Sequence, residues 1–376
     1  MQLADLMRIM EEIAPLRLAE NWDNCGLLLG DPAAEIRSVM TCLTLSQDVA
    51  EEALANRVDA IISHHPILFR PTKFIRADKP ETSLAWRLAR AGVAVISHHT
   101  AWDGAISGAN HLIAEVAGAV NIRPIQPAPA RPCVKFVVFV PDENLEAVRQ
   151  AAFHAGAGQI GLYDQCSYSH DGVGTFRGQK GASPAIGEVG NIEKVAEKRL
   201  EIIAFKSLQE KVLAAIRQAH LYEEPAIDVY DLAGVASQAS DGVGRVGDFS
   251  QAISIQEVAA KIGAGFHSAA MQISLADGAG LGQIVTKMAA ACGAGDDLVD
   301  LALRAAAEVL ITGELRFHTI LKARDAGLSV ILTGHYASER VSIEFLAGLL
   351  QKKCPELIVR ASLAERDPLQ NFQAWR

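Results

Sequence analysis

Leu3, Leu6, Met7, Met10 and Ile13 recur at steps of three and four residues, which predicts an amphipathic helix at the start of the chain. After a turn at 21–24, short apolar runs alternate with helical patterns. Strands are expected at 38–44, 59–62 and 93–96, and helices at 47–55, 81–91 and 107–116. This alternation predicts an α/β layer architecture on a largely parallel sheet. At 124–132 the text becomes PIQPAPARP, four prolines in nine residues, which can continue neither a helix nor an inner strand and so marks a domain boundary.

Beyond it the pattern reads as a strand at 133–140, a helix at 144–155 and several short strands in a glycine-rich stretch. A strand at 199–205, a helix at 208–219 and a strand at 226–232 follow, the order of a ferredoxin-like module. A second apolar-poor joint is expected at 237–247. The α/β pattern then resumes, with helices at 255–262, 298–305, 314–326 and 338–350 and strands near 268–274, 282–289, 309–312, 328–332 and 357–360. The expected fold is a split α/β domain, 1–125 with 240–376, hosting an inserted α+β ferredoxin-like module at 130–235. The outer segments also rhyme. DAIISHH and VAVISHHTAWD resemble EVLITGELRFH and LSVILTGHYASE, which suggests two pseudo-symmetric halves.

Half of the 376 residues are hydrophobic and 21% are charged, enough for a sizeable core and too apolar for a disordered chain. The net charge of −9 argues against a nucleic-acid groove or an anionic membrane surface. Six scattered cysteines without a C-x-x-C pair fit thiols of a reducing compartment. The opening helix lacks a basic leader, and no apolar run approaches the roughly 18 residues a membrane span needs. The expected location is the cytoplasm, with no membrane partner.

The histidines change the picture. His64, His65, His98, His99 and His111 fall at strand ends or at the opening of the next element, and His318 and His335 fall in matching places downstream. Ligand sites of open α/β sheets lie outside the carboxyl ends of strands, so these side chains can converge. Asp103 follows His99 by four residues, Glu339 follows His335 by four, and Ser338 is the expected N-cap of the last long helix. A lone histidine after a strand is more often a hydrogen-bonded structural residue, but three clusters at equivalent strand ends point to metal. Three histidines and two carboxylates exceed one closed tetrahedral zinc and suit two ions sharing a carboxylate and a water.

Other features are weaker. The CGAGDD run at 292–297 could offer backbone amides to an anion or form a tight turn, and Asp296 and Asp297 oppose an anion. Trp22, Asp23 and Asn24 either frame a pocket mouth or form an Asx turn. His220, Tyr222, Glu223 and Glu224 read as a polar patch or a solvated loop. The G-x-G runs at 156–161, 172–178 and 242–247 do not each open a helix after a strand, so no dinucleotide site is expected.

WDNCGLLLGD (22–31), ISHHPILF (62–69), SHHTAWD (97–103), ITGELRFH (311–318) and GHYASE (334–339) resemble, in order, the dinuclear-metal-centre family known as type 2 homologs of GTP cyclohydrolase I. GAGQIGLYDQCSYSHDGVGTF (156–176) and AHLYEEPAIDVY (219–230) resemble its longer members. The resemblance implies that His64, His65, Asp103, His335 and Glu339 bind two divalent ions (Zn, Mn, Fe or Co), with His99 a further ligand or proton carrier. Glu314 and His318 match a segment behind the site and, with His99, are the candidate proton-handling residues. Phe317 stands where a histidine often precedes His318, and Leu221 where proline is more usual. The activity implied is a metal-dependent hydrolase whose hydroxide attacks the purine ring of a nucleotide. The alternative is a non-catalytic metal-binding assembly or sensor, and the partner implied is self, as a homohexameric ring of trimers.

Overall fold

The computed structural model describes residues 1–161, 163–233, 240–266 and 271–369, which form two compact units, Met1–Ala128 with Ser240–Arg376, and Pro129–Ala239. The first unit carries two main sheets. One has strand order Gly26–Leu29, Ala94–Ser97, Ala60–His65, Ser38–Thr44 and Ile358–Ala361; the last four run parallel and the first is antiparallel. The other runs Gln272–Ser274, Ser329–Leu332, Val309–Glu314, Ile284–Ala294, Arg245–Ser254 and Ala119–Arg123, with only Ser329–Leu332, Val309–Glu314 and Ile284–Ala294 mutually parallel. The expected largely parallel sheet is therefore two mixed sheets. Of the antiparallel strands, Gln272–Ser274 falls in the strand expected near 268–274, whose residues 268–270 lie outside the described residues, while Gly26–Leu29 and Ala119–Arg123 are short and Arg245–Ser254 begins in apolar-poor text. Residues 240–247 of the expected joint hold a two-residue bridge and the start of Arg245–Ser254, and residues 237–239 lie outside the described residues.

One apolar cluster joins the sheets. It takes Ile62 and Ile96 from the first, Met288, Ile311 and Ile331 from the second, and Leu3, Leu6 and Met10 from the opening helix Leu3–Ile13. Smaller clusters bury the outer faces beneath the helices Gln47–Ala55, Pro80–Ala91 and Phe317–Asp325. The second unit is a four-stranded antiparallel sheet of order Ile227–Leu232, Cys133–Pro141, Glu193–Phe205 and Ser167–Phe176. The helices Leu145–His154 and Gln209–Ala219 cover one face through Val148, Ala152, Val212 and Ile216. Among the described residues no helix is long and apolar enough to cross a membrane.

Candidate metal centre

Strand Ala60–His65 ends at the histidine pair, and Pro66 stops the ladder because it has no N–H to donate. The Ser97 hydroxyl donates to the His64 carbonyl at 2.8 Å and the Ser63 hydroxyl to the His65 carbonyl at 2.7 Å, fixing the exit of the chain. Both imidazoles consequently turn to one side, with ring centroids 5.1 Å apart. The neighbouring strand Ala94–Ser97 runs into the short helix His99–Gly104, which places Asp103 one turn beyond His99. From the second sheet, helix His335–Lys353 begins one residue after Gly334 (φ 87°). Ser338 is thus inside the helix and not its N-cap. Its hydroxyl donates to the His335 carbonyl and accepts the Gly293 amide. A Cβ at Gly293 would collide with the Glu339 carboxylate, and one at Gly313 would press on the helix start, so these glycines admit the close approach.

The five expected ligand residues come together. His64 Nε2 lies 3.6 Å from Asp103 Oδ1 and 3.9 Å from Glu339 Oε1, and His65 Nε2 and His335 Nε2 each lie 3.2 Å from Glu339 Oε2. Two groups could each hold an ion, one of His64, His65 and His99 and one of His65, His335 and Glu339. Among the described residues, both His64 ring nitrogens, Asp103 Oδ1 and Glu339 Oε2 are buried without a hydrogen-bond partner. Buried polar groups are ordinarily satisfied, so such a concentration fits a cation, and imidazole with carboxylate is a donor set for borderline divalent metals.

The electrostatics agree with the geometry. Burial pushes His64 down to about 3, leaving a neutral imidazole with a free lone pair. Burial and the nearby Glu339 push Asp103 up to about 7. Burial opposes ionisation of Glu339, yet the His335 and His65 imidazoles beside it hold its carboxyl below the usual range. The Glu339 and Glu314 carboxylates raise His335 to about 9.

A surrounding set of acceptors orients the rings. Glu314 Oε1 sits 2.9 Å from His335 Nδ1, Thr44 Oγ1 2.7 Å from His65 Nδ1, and Asp23 Oδ1 2.9 Å from His99 Nδ1. Asp23 also accepts from Thr100 and Cys25 and is held ionised by His99 and Thr100 against the cost of burial. In turn it raises His99. Trp22 is exposed beside His99 and Phe69, whose ring centroids lie 6.2 and 6.0 Å away. The sequence offers Asp23 only as part of a pocket mouth or an Asx turn, and its bond to His99 makes it the orienting partner of that ring. Its place in the 22–31 motif was the only available signal, because its partner lies 76 residues on.

His318 is different. It is exposed in the first turn of Phe317–Asp325, against the Phe317 ring, and among the described residues no hydrogen bond or ion pair joins it to the cluster. His98 is buried on the Ala14 carbonyl, and His111 pairs with Glu115. Three of the CGAGDD amides are committed within the protein. Cys292 donates to Asn110, Gly293 to Ser338 and Gly295 to the Glu314 carbonyl, and Asp296 accepts from Arg316 and Thr319, so the loop is a turn and not an anion cradle. A cavity of about 880 Å³ opens at His335 and Glu314, flanked by Tyr336 and Arg340.

The model of the DUF34/NIF3 (NGG1p interacting factor 3) family matches residues 1–368. A Mycobacterium tuberculosis protein named GTP cyclohydrolase 1 type 2 homolog is 36% identical over 340 residues, covering 90% of this chain and 88% of its own. A Bacillus subtilis protein of the same name is 35% identical over 350 residues, covering 93% and 92%. A crystal structure of a Bacillus cereus protein related to NIF3 superposes with a TM-score of 0.87 at 31% identity over 99% of both chains. The chain therefore belongs to the DUF34/NIF3 family.

Proposed function

We propose that this protein is a divalent-metal-dependent hydrolase with a two-cation centre held by His64, His65, Asp103, His335 and Glu339. The observation that carries this reading is the set of four buried, unpartnered polar atoms on His64, Asp103 and Glu339. The sharing of His65 between two candidate groups supports two ions. When bound, Zn, Mn, Fe or Co would supply Lewis acidity and a water made acidic toward neutrality. Glu314 and Thr44 hold the His335 and His65 rings in place. Asp23 holds His99 with Nε2 free to donate to an ion or to move a proton. His318, outside this hydrogen-bonded set, has no geometric support for a catalytic role.

The substrate class we infer is a purine nucleotide, on the printed names of the relatives and on the 880 Å³ cavity, large enough for one. The two sheets, each with three or more parallel strands feeding the cluster, support pseudo-symmetric halves of a metal domain, 1–125 with 240–376. The sheet order fourth, first, third, second supports a ferredoxin-like insert at 130–235. That insert has a cavity of its own, which favours a second reading, a non-catalytic metal-binding regulator or homohexameric assembly. Purified protein loaded separately with Zn, Mn, Fe or Co and offered GTP, other nucleotides and cyclic amides separates the two. Turnover lost on His64→Ala supports the hydrolase. Metal uptake without any turnover overturns it in favour of the regulator.

A further inference from the structure

All residues lining the second unit's cavity of about 590 Å³ lie within that unit. In strand Glu193–Phe205, Leu200 and Ile202 face the helices, so Glu197 and Arg199 face the opposite side of the sheet. There the ladder sets His170 opposite Arg199 and Gly172 opposite Glu197, with Gly174 two residues on. The floor is consequently glycine, Phe139, Phe176 and Tyr222 form aromatic walls, and Ala182 and Pro184 close the far side. Two sequence features that the metal centre leaves unused, the G-x-G run at 172–178 and the Tyr222–Glu224 patch, thus meet at one concavity.

Glu197 is the polar group the cavity is built around. Its Oε1 accepts the Tyr222 hydroxyl at 3.0 Å. Its other oxygen lies over Gly174, where a Cβ would collide with the carboxylate, and among the described residues no donor reaches it. Arg199 does not neutralise it, because the Arg199 Nε donates to Glu201 at 3.0 Å and the guanidinium lies 5.8 Å from the Phe139 ring centroid. Glu197 is half-buried, so this oxygen faces the cavity open to a ligand that brings donors.

We propose that this cavity binds a planar group with two parallel N–H donors along one edge, the edge common to a guanine base and a guanidinium ion. Glu197 accepts from that edge, and the rings of Phe139, Phe176 and Tyr222 pack against the plane. The glycine floor gives the plane its space, and the volume accommodates a nucleoside.

The test is calorimetric titration of the full chain with guanosine and with arginine, each beside a partner lacking the paired donors on a planar edge, inosine and lysine. The expected result is that guanosine or arginine binds and that its control binds at least about tenfold more weakly, since a site built for donors rejects an analogue without them. Whichever probe binds identifies the source of the edge. Glu197→Gln should weaken it by about tenfold or more, and Tyr222→Phe, which removes only a hydroxyl, by a few-fold. Binding should survive chelation and His64→Ala, so the site stands or falls apart from the metal centre. The proposal is overturned if neither probe binds at millimolar concentration or if the controls bind equally well. It is also overturned if a folded Tyr222→Phe and Glu197→Gln both bind as the parent does, or if binding disappears with His64→Ala.

Discussion

Two buried polar sites of the first unit treat their groups in opposite ways. Arg245 is fully buried, and its two terminal nitrogens donate to the carbonyls of Gly242, Gly244, Gly104 and Ala105; only Nε lacks a partner. Burial drops its pKa to about 10, which still leaves it charged at neutral pH. His64 and Glu339 are buried too, yet among the described residues four polar atoms of their cluster make no hydrogen bond. A buried charge with its donors committed stitches segments together. A buried cluster left short of partners stores affinity for something from outside.

The largest expected effect comes from breaking the satisfied member. Arg245→Met keeps length and apolar bulk but strips donors from four carbonyls, at about 1 kcal/mol or more each, so about 4 kcal/mol of unfolding free energy should be lost. Urea unfolding measures this, and metal content per folded chain should stay at the parent's value. A loss below about 1 kcal/mol would place Arg245 outside the architecture.

Glu339→Gln is the counterpart in the unsatisfied cluster. It leaves shape intact and removes the charge that His65 and His335 both approach at 3.2 Å. Metal affinity should fall by more than about 100-fold, beyond the range for residues that only orient ligands. The unfolding free energy of the metal-free chain should move by no more than about 1 kcal/mol, because a buried charge that makes few committed bonds contributes little net stability. Metal analysis after dialysis against a chelator series reads the first quantity, and urea unfolding reads the second. Full metal content in Glu339→Gln would remove it from the donor set.

The two kinds of burial were not equally legible in the sequence. His64, His65 and His335 stand out because an apolar strand that ends in imidazole delivers it to the carboxyl edge of a sheet. Asp103 and Glu339 follow their histidines at helical spacing, so local geometry alone brings them round. Arg245 was invisible, since an arginine among glycines and aspartates reads as a linker and two of its four acceptors lie about 140 residues away in sequence. Ser338 was misread because a serine at a helical boundary resembles a cap. The left-handed Gly334 makes the turn four residues earlier, and the hydroxyl is used to hold the Gly293 amide. Gly26–Leu29, Ala119–Arg123 and Arg245–Ser254 carry weak strand patterns of their own, and tertiary contact sets their antiparallel partners.

Asp23 lies between the two classes, and its variant sharpens the comparison with the smallest expected effect. The carboxylate is buried and well bonded, as Arg245 is, yet one of its partners is His99, which faces the cluster. Asp23→Asn keeps the size and replaces one acceptor oxygen with a donor, so the His99 Nδ1–H and the Thr100 amide and hydroxyl can no longer all be accepted. If its main task is to present His99 Nε2, metal affinity should fall by about 10- to 100-fold, the cost of removing an orienting partner, while the urea midpoint of the metal-free chain changes little. If its task is to pin residues 99–100 to the 23–25 turn, stability should fall and metal affinity should hold. The first outcome assigns Asp23 to the metal centre, because a satisfied group is there only to aim an unsatisfied one. The second assigns it to the architecture beside Arg245, and leaves His99 to be oriented by its neighbours His64 and His65 alone.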